Sequence, residues 1–353
     1  MKPVRVLFLP QVDEENTNAQ SLNTREVALR LDRQRFHCTF FYSRQPDKRL
    51  LDVANFRLVK LPARRTTWPI LGEMLGAHDI VAYLDYSPAS YLFLHVPKFL
   101  RKAIGVFHAE APQAQIINPS RQLEILVNSA MSRCDVYTAI TPYVARDLEK
   151  RVQRPVRYIL PVGVDCQLFS PPPRRFNPEP TVLFAGTLIE RKGPQHVLTA
   201  AARFPHARFR LVGTGRDGYD QQLRDKIKEM GLSNVALDGP KRQAELVEIM
   251  QQSDIFLLPS RLEGLPKVTL EAAATGLPCI VFRDYETPSV VDGATGFQVQ
   301  SLDEMMDRLG QLLADSALCR TMGAAARELA LEFQWDKVSR MWEEAYLDIA
   351  GRS

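Results

Sequence analysis

The fold of this chain is decided by the stretch LLPSRLEGLPKVTLEAAATGLPCIV, residues 257–281. An apolar run ends at Pro259, and after a short loop a helical pattern begins near Pro266. Proline suits the first turn of a helix, and Gly276 suits the position just past its C-terminal end. Because a second apolar run follows directly, the stretch predicts a strand, a helix and a parallel strand in succession.

The same alternation of short apolar runs and amphipathic segments extends over the whole chain. Apolar runs with few polar positions, separated by helices, are typical of parallel sheets that are covered on both faces. We therefore predict an α/β fold with parallel sheets. The runs that predict strands are residues 4–10, 37–42, 79–84, 103–108, 136–141, 156–161, 181–186, 208–213, 234–239, 254–259 and 278–282.

A proline-rich segment, SPPPRRFNPEP at 170–180, divides the chain into two halves. Proline stiffens a chain toward extended conformations, so the segment predicts a linker at 171–180. We predict two facing Rossmann-like domains, at 1–170 and 181–334, with a ligand-binding cleft between them. A last helix within 335–353 carries an apolar stripe at Trp335, Val338, Trp342, Ala345 and Ile349.

The composition is that of an ordinary globular protein, with 45% apolar and 24% charged residues among 353. It excludes a disordered chain, a collagen-like repeat and a small disulfide scaffold. No run approaches the roughly 18 apolar residues of a membrane span. The opening apolar run turns acidic without a small-residue cleavage site, which favours a buried strand over a signal peptide.

The distribution of charge and cysteine indicates which kinds of partner, compartment and metal to expect. Residues 1–175 hold 25 Lys and Arg against 16 Asp and Glu, a net charge of +9, which leaves −5 for the remainder of a chain whose total is +4. Either one half meets an anionic partner or the surface charge is simply uneven. The five cysteines are scattered and form no CxxC motif, which predicts reduced thiols in the cytoplasm. No cluster of metal-ligating residues is evident, so we predict no bound metal.

The helix in the opening stretch predicts a phosphate site. The amides of Lys267, Val268 and Thr269 fall in its first turn, where we expect them to be free, at the positive end of the helix dipole. Glu271 lies too deep to cap the helix, and its carboxylate is suited to accept hydrogen bonds from a vicinal diol such as a ribose. Glu263, in the loop, faces the same site. The alternative is an ordinary loop carboxylate and an exposed helix residue, but the spacing of the two glutamates favours a site.

The stretch 257–281 resembles the E-x7-E motif of retaining glycosyltransferases with the GT-B fold, in the large family-four group, the glycosyl transferases group 1. Other segments resemble landmarks of that family in the same order, so the resemblance covers most of the chain. In that family the final helix crosses back to the N-terminal domain. The segments are LPVGVDCQLFSP (160–171), FAGTLIERKG (184–193), DGATGF (292–297) and FQWDKVSRMWEEAY (333–346).

The resemblance implies a donor site for a nucleoside-diphosphate sugar in the C-terminal domain. It implies that Glu271 holds the ribose, that Glu263 contacts the hydroxyls of the donor sugar and that Lys192 neutralises the pyrophosphate. It also implies that His108 faces the donor sugar near the reacting carbon. Cationic and amide groups there stabilise charge on the leaving group. The other donor-binding positions are Gly264, Leu265 and Pro266, whose amides assist Glu263, the amides of Lys267 and Val268, and Gly239 and Lys241 beside the nucleobase.

The sequence departs from the family pattern in three loops. Thr187 stands where many members carry arginine; either Arg191, next to Lys192, supplies the missing charge, or a helical turn aims it at solvent. Near residue 285, RDYETPSVV replaces paired glycines and a glutamate. The glycine-rich first loop is replaced by QVDEENTNAQSLN (11–23). That loop is either an acceptor-sugar site or a surface loop ahead of a capped helix; the acceptor-binding candidates are Asn16, Asn18, Gln20 and Ser21.

The basic residues of the N-terminal half admit two interpretations. Some adjoin apolar stretches and would suit peripheral contact with an anionic membrane, where lipid-linked acceptors lie. The alternative is helices with charged outer faces. Nucleic acid is disfavoured because stacking aromatics are not interleaved with the basic residues. The clusters are Arg64, Arg65 and Trp68; Lys98, Arg101 and Lys102; and Arg146, Lys150, Arg151, Arg154 and Arg157.

The resemblance implies transfer of a hexosyl group from a UDP or GDP sugar to a hydroxyl of a saccharide or lipid-linked acceptor. It implies retention of configuration and no metal or cofactor, in the cytoplasm or at the inner face of the membrane. The alternatives are a non-catalytic nucleotide-sugar-binding subunit and a nucleotide-sugar epimerase of the GT-B fold. GTGRDG at 213–218, with Asp238 ending the next strand, also outlines a dinucleotide-binding fingerprint. This interpretation is the weaker one, because the glycine pattern stands alone and lies in the second strand–helix unit of its domain, not in the first.

Overall fold

The chain forms two compact units. The N-terminal unit comprises Met1–Gly163 together with Trp335–Ser353, and the C-terminal unit comprises Val164–Gln334. In both units parallel strands alternate with helices along the chain. The structure, a computed structural model, describes residues 2–15, 19–85, 87–112, 131–172 and 179–351.

The N-terminal unit is built on a seven-stranded parallel sheet. Its strands are β1 (Val4–Gln11), β2 (Phe36–Tyr42), β3 (Phe56–Lys60), β4 (Ile80–Ala82), β5 (Ile104–Ala109), β6 (Val136–Ala139) and β7 (Tyr158–Ile159), and its helices before the linker are α1 (Ala19–Ala28), α2 (Thr67–Met74), α3 (Pro88–His95) and α4 (Pro142–Val152). The strand order is β3-β2-β1-β4-β5-β6-β7. The central strands β1, β4 and β5 are almost wholly buried, as a doubly covered sheet requires.

The C-terminal unit is built on a six-stranded parallel sheet. Its strands are β8 (Thr181–Ala185), β9 (Arg208–Val212), β10 (Val235–Gly239), β11 (Ile255–Leu258), β12 (Cys279–Phe282) and β13 (Gly296–Val299), and its helices are α5 (Pro194–Arg203), α6 (Tyr219–Glu229), α7 (Gln243–Gln251), α8 (Lys267–Ala274), α9 (Leu302–Ala314) and α10 (Ser316–Glu332). The strand order is β10-β9-β8-β11-β12-β13. Strands β8, β11 and β12 are buried along their whole length.

The predicted α/β class with two Rossmann-like parallel sheets is confirmed. Each predicted apolar run contains a strand, but β3 and β13 were not predicted. Both lie at the edge of their sheets, where one flank of the strand has no neighbour among the described strands. Strand β3 is half-exposed along its length, and β13 begins with a glycine and contains Gln298. Neither therefore shows the continuous apolar run by which the central strands are recognised.

The boundary between the units lies earlier than the sequence predicted. Residues 164–170 were assigned to the N-terminal domain, but they pack in the C-terminal unit. The Arg327 guanidinium donates to the carbonyl oxygens of Cys166 and Phe169, at 2.9 and 2.8 Å. The proline-rich stretch therefore does not coincide with the place where packing changes from one unit to the other. Most of the predicted linker, residues 173–178, lies outside the described residues.

The last helix, α11 (Trp335–Ile349), belongs to the N-terminal unit, where it packs on α1. All five positions of its predicted apolar stripe are buried. Trp342 stacks on Tyr83 with a ring-centroid distance of 5.5 Å and an interplanar angle of 10°. The chain has three tryptophans, and Trp68, Trp335 and Trp342 all lie in the N-terminal unit. Tryptophan fluorescence therefore reports on this unit alone.

The glycine pattern at 213–218 provides close packing in the C-terminal unit. Gly213 has a φ of +149°, and a Cβ atom there would lie 1.8 Å from the carbonyl oxygen of Gly186. The amide of Gly213 donates to the carbonyl of Gly239 at 3.0 Å, and that of Gly186 donates to Val212 at 2.9 Å. The turns after β8, β9 and β10 are thus in backbone contact. This contact accounts for Gly213 by packing alone.

We expect Gly213→Ala to lower the free energy of unfolding of the C-terminal unit by about 3 kcal/mol, because backbone atoms would have to separate to admit the methyl group. Gly218→Ala is the matched control, since Gly218 has a φ of +76° but no atom within 4 Å of the added Cβ. It should cost only about 1 kcal/mol, for the left-handed backbone. Urea unfolding followed by far-UV circular dichroism measures both, and equal losses would contradict the packing explanation.

Candidate functional site

Two loops at the carboxyl edge of the C-terminal sheet carry most of the predicted donor residues. The carboxyl ends of parallel strands meet at one edge, which is where ligands bind in such sheets. One loop follows β8 and ends at Gly193, and the other begins at Pro259 after β11. Gly193 has a φ of +75°, and a Cβ atom there would lie 2.2 Å from the carbonyl oxygen of Pro259. The two loops therefore touch.

Glu263 is the centre of a buried charge cluster. It is 4% exposed, and its Oε1 accepts a hydrogen bond from Ser260 Oγ at 2.7 Å. The same oxygen lies 2.8 Å from Lys192 Nζ and 3.5 Å from Arg191 Nη1. Arg191 also donates to the carbonyl of Leu262, so it turns toward the Glu263 loop rather than into solvent. Within this cluster two cations face one carboxylate, and the excess positive charge suits an anionic ligand.

The N-terminus of α8 offers fewer free amides than the sequence predicted. Pro266 precedes the helix, and the amides of Lys267 and Val268 lie in the first turn, where an amide has no partner within the helix. The amide and the hydroxyl of Thr269 both donate to the carbonyl of Pro266, at 3.0 and 2.6 Å. The prediction of a free amide is therefore wrong for Thr269.

Glu271 is covered rather than exposed. Its residue is 7% exposed, and Lys267 Nζ, one turn earlier in α8, lies 3.4 Å from its Oε1. The alternative of an ordinary exposed helix residue is therefore excluded. A covered carboxylate one turn from the first free amides of a helix can accept hydrogen bonds from a diol beside a bound phosphate.

The remaining donor candidates lie around these loops. Thr187 is half-buried in the turn after β8, and the Cδ atom of Lys192 passes 3.9 Å from a Cβ built at Gly186. Gly239 is half-buried at the end of β10, whereas Lys241 is exposed. The remaining three, Gly264, Leu265 and Pro266, are buried. Since proline has no amide hydrogen, the assistance to Glu263 predicted from Pro266 cannot be a hydrogen bond.

A set of buried hydroxyl groups beside α8 was not predicted from the sequence. Thr269 Oγ1 lies 2.6 Å from Ser289 Oγ, which lies 2.8 Å from Thr287 Oγ1, and all three side chains are buried. The hydroxyl of buried Tyr285 has no hydrogen-bond partner among the described residues, and burial raises its pKa well above the ordinary value. The signal was present in RDYETPSVV, in which hydroxyl side chains replace glycines.

His108 lies in the N-terminal unit, near the end of β5. The residue is 2% exposed, and its ring packs against Tyr83 and Trp342, with centroid distances of 5.0 and 4.7 Å. His108 Nδ1 lies 2.9 Å from Thr138 Oγ1. Burial lowers the pKa of His108 to about 3, so the imidazole is neutral at physiological pH. Its predicted contact with the donor sugar stays a prediction.

The first loop contributes a residue that was not predicted. Asn16 and Asn18 lie outside the described residues, and Gln20 is exposed in the first turn of α1. Asn23, one turn further along α1, is 1% exposed. Its side-chain amide donates to Tyr83 Oη at 2.9 Å and to Glu110 Oε1 at 3.1 Å. Asn23 is thus a polar side chain from this loop that reaches the carboxyl edge of the sheet.

Several of the basic residues are engaged within the N-terminal unit. Arg101 is buried and pairs with Asp135 at 3.0 Å. Arg154 donates to the carbonyl of Cys134 at 2.6 Å, and Arg157 pairs with Asp348 at 2.5 Å. Of the two interpretations left open above, contact with a membrane is therefore excluded for Arg101. The exposed members of the clusters are Arg64, Arg65, Lys98, Lys102, Arg146, Lys150, Arg154 and Arg157.

No helix in the described ranges is both long and apolar enough to cross a bilayer. No group of three or more His, Cys, Asp or Glu side chains in those ranges converges as metal ligands. All five cysteines are buried free thiols.

Comparison with known proteins identifies the family of the C-terminal unit. Residues 168–329 match the family described as glycosyl transferases group 1, which confirms the resemblance. The chain is 30% identical over 258 residues to the D-inositol 3-phosphate glycosyltransferase of Corynebacterium diphtheriae, covering 65% of this chain and 60% of that one. It is 32% identical over 206 residues to the GDP-mannose-dependent alpha-(1-6)-phosphatidylinositol monomannoside mannosyltransferase of Mycobacterium tuberculosis, covering 51% and 53%. The chain thus spans about three fifths of the first relative's length and half of the second's.

A solved structure extends the likeness to the whole chain. Anabaena HepE in complex with UDP matches with a TM-score of 0.81, covering 98% of this chain and 100% of that one. At 16% identity this likeness shows the fold alone, which is GT-B.

We expect protonation linked to His108 to destabilise the N-terminal unit as pH falls from about 6.5 toward 3. Folding holds the pKa of His108 near 3, below its unfolded value of 6.5, so protonation favours the unfolded chain. The loss through this group should be about 1.4 kcal/mol per pH unit in that window. Urea unfolding followed by tryptophan fluorescence at pH 7 and pH 5 measures it: relative to the parent, His108→Gln should stabilise the unit by more at pH 5 than at pH 7, because the variant lacks the group that protonates on unfolding. His37→Gln, at an exposed position of β2, is the control; an equal effect of both variants would contradict the assignment.

Proposed function

We propose that this chain, whose residues 168–329 carry the glycosyl transferases group 1 domain, moves a hexosyl group from a nucleoside-diphosphate sugar to a hydroxyl of a saccharide or lipid-linked acceptor, with retention of configuration. The observation that carries the proposal is the contact of Lys192 and Arg191 with Glu263, at the sheet edge where α8 begins. Cations, free amides and a covered diol-binding carboxylate are the groups that a nucleotide sugar requires.

The charge cluster suits the leaving diphosphate. As the bond to the sugar breaks, negative charge grows on the phosphate oxygens, and preorganised cations stabilise it. Lys192 and Arg191 are held in place by Glu263, so little reorganisation is needed when the donor binds. The amides of Lys267 and Val268 add the positive end of the α8 dipole. Glu271 would then accept the ribose hydroxyls.

The proposed reaction breaks the bond between the anomeric carbon and the diphosphate oxygen and forms a bond from that carbon to the acceptor oxygen. The acceptor proton passes to the leaving phosphate oxygen. Attack on the same face of the sugar preserves the configuration. Glu263 is held by Ser260, Lys192 and Arg191, and a carboxylate so engaged is a poor nucleophile, which favours this single-step route over a covalent intermediate.

The donor to test first is GDP-mannose. The Mycobacterium tuberculosis relative is named as GDP-mannose-dependent, whereas the Anabaena structure contains UDP. For the acceptor, one relative is named for D-inositol 3-phosphate and the other for a phosphatidylinositol monomannoside. We therefore propose a phosphorylated or lipid-linked polyol as the acceptor class, met in the cytoplasm or at the inner face of the membrane.

Exposed apolar side chains of the N-terminal unit support a membrane-facing role. Trp68 in α2 is 68% exposed, and Phe99 and Leu100 after α3 are 87% and 61% exposed. Lys98 and Lys102 flank the Phe99–Leu100 pair and are themselves exposed. Large apolar side chains between lysines suit the interface of an anionic bilayer, where the apolar groups insert and the cations meet lipid phosphates.

Two alternative functions make different predictions. A non-catalytic nucleotide-sugar-binding subunit would bind the donor and transfer nothing. A nucleotide-sugar epimerase of the same fold would convert the donor without any acceptor. Incubation of the protein with GDP-mannose, with and without D-inositol 3-phosphate, separates the three by the products in the NMR spectrum. A retaining transferase gives an α-linked product from an α-linked donor.

We expect Glu271→Ala to weaken the binding of the preferred nucleoside diphosphate at least tenfold, about 1.4 kcal/mol, because the ribose loses its charged hydrogen-bond acceptor. Isothermal titration with GDP, UDP and ADP measures the affinities. Glu248→Ala, at an exposed position of α7, is the control and should bind as the parent does. If the folded parent protein bound none of the three nucleotides, the donor site would be overturned.

We expect the double variant Phe99→Ser, Leu100→Ser to bind vesicles of mixed neutral and anionic phospholipid at least tenfold more weakly than the parent. Each of these side chains gains about 1.5–3 kcal/mol when it leaves water. Co-sedimentation at low and high salt measures the binding, and salt should weaken that of the parent. Leu168→Ser, an exposed leucine of the C-terminal unit, is the control. Equal binding of the parent to purely neutral vesicles would contradict the electrostatic part of the proposal.

A further inference from the structure

A buried polar cluster lies at the carboxyl edge of the N-terminal sheet. Of its four members, only His108 was predicted from the sequence to belong to a site. It consists of Asn23 from α1, Tyr83 just after β4, His108 near the end of β5 and Glu110 just after β5. We call these four residues the edge cluster. Tyr83 joins them, because its hydroxyl contacts Asn23 and its ring packs edge-on against His108.

Asn23 uses both of its amide hydrogens and leaves its oxygen unsatisfied. Nδ2 donates to Tyr83 Oη at 2.9 Å and to Glu110 Oε1 at 3.1 Å. Since these two bonds account for the NH₂ group, its orientation is fixed. The Oδ1 atom is buried and accepts no hydrogen bond from any described residue. A buried acceptor without a donor costs about 1–3 kcal/mol.

His108 offers a second acceptor of the same kind. The hydroxyl of Thr138 donates to the carbonyl of Phe107 at 3.4 Å, so its oxygen accepts from His108 Nδ1. This assigns the proton of the neutral ring to Nδ1 and leaves a lone pair on Nε2. Nε2 is buried and has no hydrogen-bond partner among the described residues.

Glu110 adds a carboxylate to these two acceptors. The residue is half-buried, and burial raises the pKa of its carboxyl to about 7, offset in part by the hydrogen bond from Asn23. Tyr83, beside it, has a φ of +63°, a conformation that costs an aromatic residue about 1–3 kcal/mol. A strained backbone and a carboxyl whose surroundings disfavour ionisation are both destabilising, and proteins tend to retain such features at sites that bind a ligand.

The edge cluster therefore holds more hydrogen-bond acceptors than donors. Asn23 Oδ1 and His108 Nε2 lack donors among the described residues, and the Glu110 carboxylate can accept further bonds. Hydroxyl hydrogens are the groups that would satisfy all three. An anionic group such as a phosphate would not, because it brings acceptors to acceptors.

We propose that the edge cluster is the binding site for the hydroxyls of a polyol acceptor, with Glu110 and Asn23 accepting hydrogen bonds from them. The inference rests on the proposed function and adds the residues that select the acceptor. A site that hydrogen-bonds a substrate hydroxyl rejects the analogue that lacks it, because the buried acceptors are again left unpaired. Glu110 and Asn23 are therefore specificity residues for the polyol.

The first test separates acceptor from donor effects. With GDP-mannose as donor and D-inositol 3-phosphate or myo-inositol as acceptor, Glu110→Gln and Asn23→Ala should each raise the acceptor KM at least tenfold. The donor KM and the affinity for nucleotide should stay within twofold of the parent. Glu73→Gln, which alters a carboxylate of α2 paired with Arg57, is the matched control and should change neither KM. An unchanged acceptor KM in Glu110→Gln would overturn the inference while leaving the proposed function intact.

The second test does not need turnover. Saturation-transfer NMR with myo-inositol should show contact with the parent protein, and the signal should fall at least fivefold in Glu110→Gln. If no nucleotide sugar is turned over, the proposed function fails, but this measurement still decides whether the edge cluster binds a polyol. Equal saturation transfer to both proteins would overturn the inference.

A stability readout excludes a purely structural role for Glu110. Because folding raises the pKa of Glu110 from 4.5 to about 7, this carboxyl destabilises the folded state progressively as pH rises between these two values, and the loss is complete above pH 7. Tyr83 and His108, the other titratable members of the edge cluster, stay neutral over this range. Glu110→Gln should therefore raise the melting temperature of the N-terminal unit at pH 8 and leave it nearly unchanged at pH 4, below the unfolded pKa. A lower melting temperature at both pH values would show a structural residue and contradict the inference.

Discussion

The ion pair between Lys192 and Glu263 is the interaction on which the proposed donor site depends. The two residues are 71 positions apart, and they meet because parallel strands bring their carboxyl ends to one edge. A buried carboxylate without a partner is strongly destabilising, so Glu263 requires the cation beside it. The close approach of Gly193 to Pro259 keeps the two loops in contact. Backbone packing and charge pairing thus fix the same geometry.

The two units present opposite chemistry at their sheet edges. In the C-terminal unit, cations outnumber carboxylates around Glu263 and amides are free at the start of α8, which suits a phosphate. In the N-terminal unit, Asn23, His108 and Glu110 provide acceptors that lack donors among the described residues, which suits hydroxyls. A transferase that joins a diphosphate sugar to an alcohol needs both kinds of surface. Each unit is therefore specialised by side-chain chemistry on a common sheet.

The sequence predicted the central strands because their side chains are covered on both faces and form continuous apolar runs. It could not predict β3 or β13, whose edge positions allow polar and small residues. It predicted which loop carries Glu263, but not that Ser260 donates to it, since a serine near a carboxylate has no periodicity. It missed Asn23 for another reason. The predicted acceptor-binding candidates were the polar residues of the first loop, at 16–21. Asn23 instead lies within α1, and the turn of that helix determines that its side chain reaches the sheet edge.

The energetics of the edge cluster argue against a structural origin. Two buried acceptors without donors cost about 1–3 kcal/mol each, and the strained backbone of Tyr83 costs a similar amount. Leucine or phenylalanine at these positions would fill the same space without that cost, as the neighbouring Phe8 and Phe40 do in a stacked pair. Folded proteins are stable by only about 5–15 kcal/mol, so a destabilisation of several kcal/mol is a large fraction of the total. Proteins retain such an arrangement where the binding of a ligand offsets it. Hydroxyl groups entering the cluster would satisfy the acceptors and recover the lost hydrogen-bond energy. The unpaired acceptors would thus also make the proposed site selective for ligands that carry hydroxyl groups.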